Sequence, residues 1–148
     1  MTRRCGIALV LLLTLLAAGC GEDDPFAGYC AEVSAQQKSL SEAFAGRGPT
    51  ALIDALPSFE ALREEAPRDI EDDWKVLVAS VDTLVEALEE ADVDPATYDA
   101  TKPPAGLSAE ERSAIEAAAT ELAGPATRAA LAAVDQQSRD VCQTPLYL

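Results

Sequence analysis

The chain has 148 residues, 49% of them apolar and 5% aromatic, with 26 acidic side chains against 11 basic ones and a formal net charge of −15. This balance excludes nucleic acid as a partner, because phosphate binding needs a basic patch and the Lys and Arg are few and scattered. It also argues against lying flat on an anionic bilayer, and the absence of histidine removes the usual serine and cysteine triads. In chain order, the first element is a short N-terminal segment: Arg3 and Arg4, then an apolar run from Ile7 to Ala18, then small residues. A positive flank, an apolar stretch and a small-residue exit mark a secretory signal. The run is too short for a good membrane-spanning helix, which needs about 20 apolar residues.

The segment ends Leu16-Ala17-Ala18-Gly19-Cys20. That ending resembles the lipobox of bacterial lipoproteins, with Ala17 where that family prefers leucine. The resemblance implies cleavage after Gly19 and a diacylglycerol and further acyl chain (a palmitate, for instance) on Cys20. The protein would then be held on the extracytoplasmic face of the cell membrane. Residues 1–19 are thus expected to be a signal peptide, 20–25 a lipidated N-terminus with a short acidic tether, and 26–148 a helical bundle domain. Losing Arg3 and Arg4 takes the charge from −15 to −17.

Pro and Gly punctuate the remainder into helical pieces. Asp24-Pro25 has the form of an N-cap followed by a first-turn proline. Phe26, Cys30, Val33, Gln37, Leu40 and Phe44 then recur at steps of four and three until Gly46-Arg47-Gly48-Pro49. A second helix is expected over Thr50–Glu65, with Leu52, Leu56, Phe59 and Leu62 near one face. Pro67 is expected to open a third, with an apolar stripe from Ile70 and Trp74 through Leu77, Val81 and Leu84 to Leu88, which marks a core-facing helix. Residues 91–107, with Pro95, Pro103 and Pro104, read as a long connection. Ser108-Ala109-Glu110-Glu111 reads as a capping box that starts a fourth helix, interrupted at Gly124-Pro125 before Leu131, Val134, Val141 and Cys142. No segment alternates as a strand does. The expected class is all-α.

After the signal and Cys20 are set aside, Cys30 and Cys142 are the two remaining thiols. They are expected to form a structural disulfide in an oxidising compartment. Such a bridge puts the start of the first helix beside the end of the last, so an even number of antiparallel passes is required. The expectation is an antiparallel bundle of four passes, with 108–142 as one helix broken at Gly124-Pro125. A straight helix does not satisfy the pattern, since the face of Ile115 and Leu122 lies roughly 120° from that of Leu131, Val134 and Val141. A proline break with a change of direction does. The lipobox, the Tyr29-Cys30 pair, Ala66-Pro67-Arg68-Asp69-Ile70 leading to Asp72-Asp73-Trp74, and the near-terminal Cys142 are together loosely similar to small uncharacterised helical lipoproteins of actinobacteria. That resemblance implies a cell-surface location and assigns no activity.

No catalytic or cofactor motif stands out, so the chain is read as a binding module, not an enzyme, with no metal or cofactor. Asp92, Asp94 and Asp99 fail the EF-hand pattern, because position 6 from Asp92 is Thr97 and position 12 is Pro103; these acids read as turn caps. Trp74 is in phase with the core stripe. Gln37 interrupts its stripe, either as a buried amide fixing register, as a polar pocket group, or simply as an exposed edge. Tyr98 reads as the exposed aromatic of the long connection. The tether holds both ends of the domain near the bilayer, so the connections at 46–49 and 91–107 should share the distal end. Tyr98, Asp92 and Asp94 are the expected interaction surface for an envelope protein. The alternative is a small-ligand binder with a pocket between helices.

Overall fold

Apolar residues at helical spacing build five helices in the computed structural model, which describes residues 24–46, 48 and 50–148. The expected signal peptide, Cys20, Arg47 and Pro49 lie outside the described residues. The helices are α1 (Ala27–Ala45), α2 (Ala51–Glu64), α3 (Glu71–Glu90), α4 (Ala109–Leu122) and α5 (Pro125–Cys142). A single 3₁₀ turn, Pro95–Thr97, lies between α3 and α4. No strand occurs among the described residues, and the all-α class holds.

The third helix is the spine. Trp74, Leu77, Val78, Val81, Leu84 and Leu88 are all buried, so one continuous face of α3 is covered by the helices around it. Its first half joins a core with Tyr29, Val33 and Leu40 of α1, Phe59 and Leu62 of α2, and Ala130 and Val134 of α5. Trp74 is fully buried, stacks obliquely on Phe59 at 5.9 Å and donates its Nε1–H to the Tyr29 hydroxyl at 3.3 Å. The second half of α3 builds a separate cluster: Leu84, Leu88 and Val93 meet Ile115 and Ala118 of α4, with Ile53, Tyr98 and Leu107 packed around them. At about 1.5–3 kcal/mol for each large side chain fully buried, this face of α3 is the main source of tertiary stability.

Cys30 and Cys142 bring their Sγ atoms to bonding distance, with Cα atoms 5.1 Å apart across a separation of 112 residues. The start of α1 and the end of α5 are therefore joined, as the cysteine arithmetic requires. Ser108 also behaves as its sequence predicts. Its hydroxyl accepts from Glu111 N at 3.1 Å, while the Glu111 carboxylate accepts from Ser108 N at 2.6 Å.

Several boundaries differ from expectation. The first helix begins at Ala27, because Asp24 Oδ1 accepts from Phe26 N at 3.0 Å in a local turn and so consumes the cap one step early. The third begins at Glu71 and not at Pro67, since Ile70 N bonds back to the Pro67 carbonyl at 3.1 Å and closes a turn first. Residues 108–142 form two separate helices that part at Ala123-Gly124. A Cβ at Gly124 would sit 2.7 Å from the Glu121 carbonyl oxygen, an approach that only glycine permits. Beside this junction Thr127 Oγ1 meets Ser80 Oγ of α3 at 3.0 Å and the Glu121 carbonyl at 3.2 Å, which fixes the junction onto α3.

The last residues had no expected role and prove to be structural. Gln143 adopts φ 54° and turns the chain back along α1. Leu146 is fully buried, Tyr147 packs on Phe44 at 4.8 Å, and Leu148 N donates to Ser41 Oγ at 3.0 Å. Gln37 is explained by this segment: half-buried, it donates Nε2–H to the Pro145 carbonyl at 2.8 Å.

Candidate functional site

The connection between α3 and α4 turns immediately after the helix. Asp92 takes φ 55° and Val93 N bonds back to the Leu88 carbonyl at 2.8 Å, which drops the Val93 side chain into the second cluster. Asp94 then caps the 3₁₀ turn, its Oδ1 accepting from Ala96 N at 3.0 Å. Asp99 closes the next bend, accepting from Thr101 N at 2.8 Å and Thr101 Oγ1 at 2.7 Å. Those hydrogen bonds favour the carboxylate and hold Asp99 below its ordinary pKa. Three short polar devices thus shape a prolyl loop whose apolar residues, Tyr98 and Leu107, are pulled against α4.

Between this loop and α4 runs an open groove of about 710 Å³. Tyr98, Pro103 and Leu107 make one wall; Ile115, Ala119 and Ala123 make the floor; Arg112, Glu116 and Thr120 stand along the helix side. From Arg112 to Ala123 the floor extends roughly 16 Å at 1.5 Å per residue. Alanines at i and i+4 keep it smooth, and Gly124 and Pro125 continue the lining past the end of α4. The Tyr98 phenol is held above its ordinary pKa by partial burial first, and then by the nearby carboxylates of Glu116 and Asp99.

The expected surface residues fall into two groups. Tyr98 lines the groove, but it is half-buried against the second cluster instead of standing free. Asp92 and Asp94 are exposed and do not line it; Asp94 is engaged as a cap. Ile53, near the start of α2, packs in the same cluster as Tyr98 and Leu107. The start of α2 thus reaches both clusters, Leu52 packing on the first, which also takes Cys30, and Ile53 on the second. Sequence reading missed the α4 side of the groove. The signal was present as Ile115, Ala119 and Ala123 at steps of four, a second weakly apolar stripe on a helix whose other face is already committed to α3.

The Gln137 amide is out of contact with water and has no hydrogen-bond partner among the described residues, yet it does not line the groove. Among the described residues no three His, Cys, Asp or Glu are arranged to hold a metal ion, and no helix is long and apolar enough to cross a membrane. Comparison with known protein families, with curated proteins and with solved structures gives no match.

Proposed function

We propose that the protein is a lipid-anchored binding module of the cell envelope, held by Cys20 on the extracytoplasmic face of the membrane and meeting a protein partner through the groove between α4 and residues 98–107. In this reading the domain is a bundle of four antiparallel passes, α4 and α5 together making the last. The observation that carries the binding role is the groove itself: an open, apolar-floored channel beside two buried apolar clusters. An open channel suits a segment of another protein, whereas a small ligand is held by enclosure on most sides. A small-ligand role is the second reading, favoured by a volume inside the range of small-molecule sites. The anchor rests on the Leu16-to-Cys20 ending and on the secretory form of residues 1–19.

The test is site-specific crosslinking on intact cells. A photoreactive residue at Thr120, in the groove, should capture one discrete partner band, and the same residue at exposed Glu64 of α2 should capture far less. Equal capture at both positions removes the groove from the proposal. A diffuse small adduct at Thr120 with no protein band favours the small-ligand reading instead.

A further inference from the structure

Residues 91–125, the segment that holds the groove, carry seven acidic side chains against two basic ones, Lys102 and Arg112; the charged side chains that line the groove itself are Glu116 and Arg112. None of the ion pairs found among the described residues involves them: those pairs join Lys38 to Glu42, Lys75 to Glu71 and Asp72, and Arg139 to Asp135. Glu116 is exposed on the groove side of α4 and has no cation within pairing distance among the described residues, although Arg112 precedes it by one helical turn. Tyr98 offers an aromatic ring in the facing wall, beside Asp99. An apolar floor, an aromatic wall and the Glu116 and Asp99 carboxylates near the Tyr98 ring are complementary to a surface that is apolar on one side and positive at its edge. The floor, roughly 16 Å long, matches about three turns of helix.

Resting on the groove as the contact surface, we infer that its occupant is a short basic amphipathic segment of the partner protein. Its apolar side chains lie over Ile115, Ala119 and Leu107, and a Lys or Arg lies at Tyr98, between Glu116 and Asp99. The excess negative charge then serves association, drawing a cationic segment to the groove and making the encounter salt-sensitive. Arg112 is the mismatched group, and its removal should favour the occupant.

The experiment is a titration of the purified protein with a fluorescent peptide carrying leucine and lysine at helical spacing. Two control peptides keep the length: leucine with glutamine, and serine with lysine. The leucine–lysine peptide should bind best, and Glu116→Gln should weaken it about tenfold while Arg112→Gln tightens it several-fold. Both residues are exposed, so neither variant threatens folding. Thr120→Trp, which fills the groove without altering charge, should abolish the binding. If the leucine–glutamine peptide binds equally well and is lost in Thr120→Trp, the groove is a docking surface but the cationic assignment is overturned. Equal binding by the serine–lysine peptide overturns the apolar half, leaving only a general field. If Thr120→Trp leaves leucine–lysine binding intact, the inference and the groove reading fall together. Displacement of the peptide by phenethylammonium at a comparable concentration would overturn a peptide occupant in favour of a small cation.

Discussion

Tyr29 sits at the junction of α1, α2 and α3, 2% exposed, with its hydroxyl oxygen receiving the Trp74 indole N–H. Burial pushes its pKa up to about 12 from 10.0; the Asp69 carboxylate adds to the rise and the Trp74 hydrogen bond opposes it. The charged form is the phenolate, so the folded chain keeps a proton that the unfolded chain releases. The stability associated with neutral Tyr29 is thus complete below pH 10.0 and is lost as pH climbs toward about 12. Urea midpoints measured from neutral to alkaline pH should fall through that window. Tyr29→Phe should flatten the fall while costing about 1 kcal/mol at neutral pH, through the hydrogen bond left unmade at Trp74. A slope unchanged by Tyr29→Phe would assign the alkaline loss to another group. At this scale the sequence was legible wherever burial followed helical phase. Trp74 lies in step with Ile70, Leu77 and Val81 and is buried with them. Leu146 was opaque, because it follows the last helix in a stretch without period, and Gln37 was ambiguous because its partner, the Pro145 carbonyl, lies in that same stretch.

Elements were legible where a local hydrogen bond decides them. The Ser108 capping box needs only four consecutive residues, and all of its bonds are made. Where two local solutions compete, the boundary moved: Asp24 and Pro67 each close a turn before their helix begins. The division of residues 108–142 shows both outcomes. The two apolar faces, roughly 120° apart, required a break, and they serve different clusters: Ile115 and Ala118 pack in the second, Ala130 and Val134 in the first. The sequence did not reveal that the break separates two complete helices, because that depends on how near Gly124 comes to the Glu121 carbonyl, 2.7 Å for an added Cβ. Gly124→Ala should therefore force the junction apart and cost about 1–3 kcal/mol, the usual range for overpacking against an immovable neighbour. Hydrogen exchange should quicken in α4 more than in α1 and α2, since α4 hangs from this junction and from its packing on α3. A variant as stable as the parent would show that the junction yields easily.

The whole molecule is a helical domain closed by one covalent clasp and, in the proposed reading, fixed to a membrane by another. The lipid anchor is tested first: Cys20→Ala should shift the mature protein out of the membrane fraction, and unchanged processing and membrane attachment would remove the anchor. Few residues separate Cys20 from α1, so an anchored domain holds its Cys30–Cys142 end toward the bilayer and offers its α4 groove outward. That arrangement makes the disulfide the point where load from the anchor enters the fold. The clasp also closes a loop spanning a separation of 112 residues, which on the chain-entropy account stabilises the folded state by about 4–5 kcal/mol. Cys142 stands one residue before the left-handed turn at Gln143, so it further sets where residues 143–148 meet α1. Replacing both cysteines by serine should lower the melting temperature by on the order of 10–20 °C. The loss should fall unevenly: exchange should rise most at the start of α1, the end of α5 and around Leu146, all in the first core, while the second cluster around Leu88 and Ile115 responds only through global unfolding. A double variant that melts with the parent would mean that packing of the first core alone holds the two ends together and that the bridge adds nothing to it.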